Sequence, residues 1–151
     1  MFELANVARP GVSEYISGSG ALSALDNRLE GFKTPLIVTG EKSYAAFTKF
    51  YKGNREFRVA KYDGSASFED MQRIADEYGE GVDVVLGVGG GRVIDTAKGV
   101  AQNLNVEYMT VPTVIATCAP YAPVAAVYHP DHTFREVAYF KRTAYACIAD
   151  L

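Results

Sequence analysis

The stretch Val82–Ala101, VDVVLGVGGGRVIDTAKGVA, decides the fold. Val84, Val85 and Leu86 form an apolar run that reads as a buried strand. Gly87, Gly89, Gly90 and Gly91 follow at once, and then Val93, Ile94, Ala97 and Val100 recur at the spacing of one helical face. A strand that delivers the chain through bare backbone into a helix N-terminus is how α/β proteins hold phosphate. Glycines let the backbone approach an anion and take positive φ without steric cost. The helix start offers free N–H groups and the positive end of the dipole. Arg92, at that start, opposes the dipole, a cost that an anionic ligand would relieve. The run fits neither common fingerprint. From Gly87 it reads G-V-G-G-G-R and not G-x-G-x-x-G, and Gly91-Arg92-Val93 lacks the G-K-[ST] ending of a Walker A loop. A tight strand-to-helix turn without a ligand is the alternative.

Outward from this stretch, strands alternate with helices. A short strand lies within Gly11–Gly20, a helix over Ala21–Leu29, and a buried strand over Leu36–Val38 that stops at Gly40. A helix over Glu41–Tyr51 places Tyr44, Phe47 and Tyr51 on a core face, and Phe57–Tyr62 alternates as a strand. Asp63-Gly64-Ser65 is a turn, and Ser67 caps a helix reaching about Tyr78, with Asp70 three residues on in the manner of a capping box. Tyr108–Val111 is the strand after the glycine unit. The pattern predicts an α/β fold, a Rossmann-like parallel sheet with flanking helices, whose ligands sit at the carboxyl ends of strands. Two loops lie there: Gly87–Gly91 and Pro112–Pro123.

The tail reads differently. Val124–Tyr128 and Phe134–Phe140 form an antiparallel hairpin around the turn His129-Pro130-Asp131-His132. Ala144–Ala149 is a last apolar strand with no covering element after it, which suggests a fragment and leaves a homo-oligomer through that strand as an option.

Bulk properties narrow the function classes. The 151 residues make one domain, 48% hydrophobic and 22% charged. A net charge of −3 and the lack of a basic run argue against nucleic acid. No apolar run is long enough for a membrane, and MFELANVARPG has no signal-peptide core, so the cytoplasm is expected. Cys118 and Cys147 make no C-x-x-C and no disulfide framework.

Few residues offer chemistry. Asp95 and Lys98 lie one helical turn apart. They are either a surface ion pair of small worth or a pair in which Asp95 buttresses the glycine loop or faces the ligand. His129 and His132 with Asp131 have the composition of a metal site, but the proline and the hairpin favour a solvated turn. Cys118 lies in a loop where function is expected, with no base evident to make it a nucleophile. Thr113, Thr117 and their small neighbours suit close contact with a cofactor.

The combination G-G-G-x-x-x-D-x-x-K, Gly89 to Lys98, followed by Val111-Pro112-Thr113, resembles the iron-containing alcohol dehydrogenase superfamily in its glycerol dehydrogenase-like branch. The likeness extends to Tyr15–Leu22, to Gly64-Ser65-Ala66-Ser67 and to the hairpin near Tyr128. It implies a metal-dependent NAD(P) oxidoreductase of a small-molecule substrate, with residues 1–151 as the N-terminal dinucleotide-binding domain. The family's second, all-helical domain would be absent, and with it the Asp and two His that hold zinc or iron. By the same resemblance Gly89, Gly90 and Gly91 hold the pyrophosphate and Asp95 stands on the cofactor side of the helix. Thr113 and Thr117 line the adenine and nicotinamide side, and Val124 and Tyr128 lie against the nicotinamide. Cys118, on the substrate side, stands where glycerol dehydrogenases usually carry an Asp that holds the polyol. The string Ala116-Thr117-Cys118-Ala119 is similar to a branch acting on 2-hydroxycarboxylates, and loss of a carboxylate suits an anionic substrate. An acidic residue often follows the second strand and takes the adenosine ribose; here Gly40, Glu41 and Lys42 stand there, and Lys42 leaves NADP open beside NAD. Two other readings share the architecture: a standalone nucleotide-binding module without catalysis, and a dehydroquinate-synthase-like lyase.

Overall fold

The computed structural model describes residues 11–114 and 116–151. The N-terminal segment read for a leader, residues 1–10, and Ile115 of the second loop lie outside the described residues.

The main sheet is six-stranded and parallel, in the order β1-β8-β5-β4-β2-β3. Its strands are β1 (Tyr15–Gly18), β2 (Pro35–Thr39), β3 (Arg58–Lys61), β4 (Val84–Gly89), β5 (Glu107–Pro112) and β8 (Ala146–Asp150). The hairpin β6 (Val124–Tyr128) and β7 (Phe134–Tyr139) forms a separate antiparallel pair. The helices are α1 (Leu25–Arg28), α2 (Glu41–Phe50), α3 (Phe68–Tyr78) and α4 (Gly91–Leu104).

Alternation along the central strands divides the core into two. Val84, Leu86 and Val88 of β4 and Ile37 of β2 face Leu22, Leu25, Leu29 and Phe47. Val85, with Leu36 and Val38, faces Met71 and Ile74 of α3 and Ala97 and Val100 of α4. Each such side chain contributes about 1.5–3 kcal/mol by leaving water. Gly87 falls on the α4 face, where a Cβ would stand 2.8 Å from that of Ala97. Close approach of helix to strand therefore requires glycine at this point. Gly99 does the same between α4 and α3, since a Cβ there would lie 2.0 Å from the Met71 sulfur. Asn105 ends α4 in the left-handed conformation, φ 55°, which Asn adopts more readily than most residues.

Several expectations need correction. The final strand is not uncovered. β8 lies between β1 and β5, pairing Tyr15–Gly18 with Cys147–Asp150 on one side and Met109–Thr110 with Ala146–Cys147 on the other. The edges of the sheet are β1 and β3, so oligomerisation through β8 has no free edge to use. The strand that covers it on one side, β1, lies some 130 positions upstream, a pairing that periodicity cannot reveal. The helix expected over Ala21–Leu29 is a 3₁₀ turn, Ala21–Ala24, followed by the single turn of α1. Its start is tied by Asp150, whose carboxylate accepts from the Gly20 and Leu22 N–H groups at 2.9 and 3.0 Å. The capping box is half formed. Ser67 accepts from the Asp70 N–H at 3.1 Å, but the Asp70 carboxylate turns to the Asp63 N–H and to Arg73. The three aromatics assigned to the α2 core face do share one cluster, Phe47 buried in it and Tyr44 and Tyr51, half-buried, packed against it. Among the described residues no helix is long and apolar enough to cross a membrane.

Candidate functional site

The carboxyl ends of β4 and β2 meet at the glycine loop. Thr39, fully buried, donates its hydroxyl to the Val88 carbonyl at 2.8 Å and holds the two strand ends level. Gly89 then takes φ 156°, and a Cβ there would stand 2.9 Å from that of Val93. Gly90 caps α4 in extended conformation, φ −86° and ψ −169°. Nothing lies within 4 Å of where its Cβ would be. The backbone at Gly90 is therefore bare and open, and the first-turn N–H groups of α4 have no partner within the helix. A groove of about 450 Å³ runs past them, lined by Gly40, Lys42 and Ser43 at the start of α2, by Tyr62, and by Gly91 and Arg92. Two helix N-termini thus open on one groove, which suits an anion.

The second loop closes on the first. The Thr113 N–H donates to the Gly89 carbonyl at 3.1 Å. A Cβ on Gly91 would meet the Thr117 methyl at 3.4 Å. The structure thus brings Gly89, Gly90, Gly91, Thr113 and Thr117 together, with both threonines exposed. On the other side of the glycine loop an apolar cleft of about 250 Å³ is bounded by Ala46, Phe47, Phe50, Pro112, Thr113 and Leu151.

Asp95 and Lys98 are not on the surface: Lys98 is 1% exposed and Asp95 8%. The Lys98 ammonium donates to the carbonyls of Ala122 and Val124, both at 2.7 Å, and lies 3.3 Å from Asp95 Oδ1. Asp95 Oδ2 accepts from the Ala126 N–H at 3.1 Å. Burial pushes the Asp95 carboxyl up and the Lys98 ammonium down, each partly offset by the other's charge. Both oxygens of Asp95 are thus turned to the hairpin and to Lys98, and the pair fastens β6 to α4. Val124 is held through its carbonyl in the same clasp. Tyr128 meets the groove through Arg92, whose guanidinium lies over its ring, 4.0 Å from the centroid. Its N–H is bonded to the Ala66 carbonyl at 3.1 Å.

Cys118 is exposed in the second loop, and both cysteines are free. The His129–His132 segment is a turn, closed by the His129 N–H to the Thr133 carbonyl at 2.8 Å, with Asp131 engaged by the Thr133 hydroxyl and N–H. Among the described residues no three His, Cys, Asp or Glu side chains come together to hold a metal ion.

Sequence reasoning placed Gly40, Glu41 and Lys42 after β2 at the cofactor, and the groove includes them, but it missed Ser43 and Tyr62. Ser43 and Tyr62 join the glycines only because β2 lies beside β4 in the sheet. The stacking of Arg92 on Tyr128 spans 36 residues and left no local trace. The one available signal was Arg92 itself, a cation at a helix start.

Known proteins share the sequence pattern and the fold of this chain. The model of the family described as iron-containing alcohol dehydrogenase matches residues 12–151. The chain is 30% identical over 146 residues to a glycerol dehydrogenase of Thermotoga maritima, covering 90% of this chain and 39% of that protein. It is 43% identical over 68 residues to hydroxycarboxylate dehydrogenase A of Escherichia coli, covering 45% of this chain and 19% of that one. A probable glycerol dehydrogenase from Sinorhizobium meliloti superposes with a TM-score of 0.84 at 25% identity, over 96% of this chain and 41% of the other. The chain spans about two fifths of the length of the T. maritima and S. meliloti proteins. With the family's profile matched along nearly all of the described chain and the fold shared, this chain belongs to the iron-containing alcohol dehydrogenase family.

Proposed function

We propose that this chain is the nucleotide-binding part of a metal-dependent NAD(P) oxidoreductase. Its substrate would be a small alcohol, a glycerol-like polyol or a 2-hydroxycarboxylate. The observation that carries the reading is Gly90: it is the one point of the glycine loop with open space in place of a side chain, beside the free N–H groups of α4. The residues present fit a dinucleotide. The N–H groups at the start of α4 would take the pyrophosphate, with Gly89, Gly90 and Gly91 giving it room. Thr113 and Thr117 would line its flanks, and the apolar cleft beside Phe47 and Pro112 suits a flat base. Val124 and Tyr128 would bound the nicotinamide side. Asp95 would act from behind, by holding β6 in place through Lys98 and the Ala126 N–H.

The nicotinamide, when bound, supplies the hydride chemistry. The described residues do not assemble a metal site. In the longer relatives zinc or iron would belong to the part of their length that this chain does not match. Cys118 would stand on the substrate side. A cysteine in place of a carboxylate takes away a group whose charge would repel an anionic substrate, and the similarity to a hydroxycarboxylate dehydrogenase supports that choice.

Titration of this chain with NADH and NADPH, followed by nicotinamide fluorescence, tests the reading. Enhanced, saturable emission with at least one of them is expected. No saturable change with either would overturn it.

A further inference from the structure

The turn between β3 and α3 holds one residue in a strained conformation. Ala66 takes φ 52°, a left-handed region that suits glycine and disfavours a residue with a Cβ. Among the described residues, Asn105 and His132 are the other non-glycines with positive φ, and both are exposed, whereas Ala66 is fully buried. Strain of this kind persists only where its surroundings hold it, and it gathers where a function depends on it. Here it is held through one hydroxyl. Ser65, 1% exposed, joins the Asp63 carboxylate, at 2.5 Å, to the Ser67 hydroxyl, at 2.8 Å. Asp63 Oδ1 also accepts from the Ser65 N–H at 2.8 Å, and the Asp63 N–H donates to Asp70 Oδ2 at 2.9 Å.

What the turn holds in place is the hairpin. The Ala66 carbonyl accepts the Tyr128 N–H at 3.1 Å, and Ser67 forms an isolated parallel bridge to Tyr128. The Gly64 carbonyl lies 3.5 Å from Arg92 Nη1, and the Arg92 guanidinium covers the Tyr128 ring. Ser65 stands behind the groove and not on its wall, so it reaches a ligand only through Tyr128 and Arg92. We propose that Ser65 is a positioning residue: by holding Ala66 left-handed it sets where Tyr128 stands against the nicotinamide. The proposal rests on the dinucleotide reading above. Without the Ser65 hydroxyl, Ala66 is free to return to an unstrained region, which turns its carbonyl away from Tyr128. The start of α3 does not need that hydroxyl, because Ser67 caps it by accepting the Asp70 N–H at 3.1 Å.

The test is calorimetric titration with NADH or NADPH, whichever the unaltered chain binds, and with the matching ADP-ribose (2′-phosphorylated for NADPH), which has no nicotinamide. Both titrations are repeated on Ser65→Ala, and on Ser65→Ala combined with Ala66→Gly, after circular dichroism confirms folding. Ser65→Ala should bind the reduced dinucleotide about three- to tenfold more weakly, the worth of a displaced aromatic contact. Its affinity for the ADP-ribose should be unchanged. Adding Ala66→Gly should restore the loss, since glycine takes positive φ without help. A merely structural role would leave both affinities unchanged or lower them together, and either result in folded Ser65→Ala would overturn the proposal. Failure of the added glycine to restore binding would overturn it as well. Should Ser65→Ala not fold, Asp63→Asn, at an exposed position, weakens the same hydroxyl contact. Selective weakening of the reduced dinucleotide is then expected, and unchanged binding would overturn the proposal. If the unaltered chain bound neither NADH nor NADPH, the dinucleotide reading itself would fall, and this proposal with it.

Discussion

Asp95 and Lys98, one turn apart on α4, form a buried ion pair whose remaining hydrogen-bonding capacity clasps a different element. Lys98 holds the Ala122 and Val124 carbonyls, and Asp95 holds the Ala126 N–H. The hairpin is thereby fixed against the helix that begins at the glycine loop. Removing one partner leaves the other charge buried and unpaired. Lys98→Met should therefore cost about 3–5 kcal/mol in urea denaturation. Asp95→Asn combined with Lys98→Met should cost clearly less than the sum of the two single changes. Additive costs would mean that the charges do not interact.

Gly87 and Gly90, three residues apart, should respond differently to the same substitution. Gly87→Ala forces a methyl to within 2.8 Å of Ala97, and overpacking of this kind costs about 1–3 kcal/mol. Gly90→Ala meets nothing within 4 Å and should leave thermal stability almost unchanged. A larger loss at Gly90 than at Gly87 would contradict the packing described.

The N-terminus of α3 depends on one hydroxyl. Ser67 accepts from the Asp70 N–H and receives the Ser65 hydroxyl at 2.8 Å, all of it buried. Ser67→Ala should destabilise the chain by about 0.5–2 kcal/mol, measurable by chemical denaturation. An unchanged midpoint would show that the cap is dispensable.

Tyr51 gives a pH signature. Burial and a hydrogen bond to Asp26 push its phenol up to about 12 from an ordinary value of 10.0. A folded-state value above the unfolded one stabilises fully at pH below about 10 and loses that contribution as pH rises through about 12. The stability gap between the native chain and Tyr51→Phe should therefore be constant up to pH 10 and shrink above it. A gap that widens with alkaline pH would contradict the assigned direction.

Much of this was legible because it is local. The strand Val84–Leu86, the glycines and the helical face of Val93, Ile94, Ala97 and Val100 are neighbours in sequence, and the fold around them follows. The hairpin was legible for the same reason. Strand order was not. β8 entering between β1 and β5, and β2 lying beside β4, depend on contacts between distant segments, and these decide which side chains share the groove. Asp95 and Lys98 had a surface reading because their spacing says only that they meet. What buries them is β6, some thirty residues on. Arg92 was visible as a residue at odds with the helix dipole, but its stack on Tyr128 needed the hairpin in place.

The central claim is that the open backbone at Gly90 receives the pyrophosphate of a dinucleotide. Calorimetric titration of the native chain and of Gly90→Asp with NAD and NADP tests it most directly. The substitution places a carboxylate in free space, so the fold should survive, as circular dichroism would verify. The account predicts saturable binding to the native chain and its abolition in the folded variant. Unchanged binding to Gly90→Asp would contradict the account.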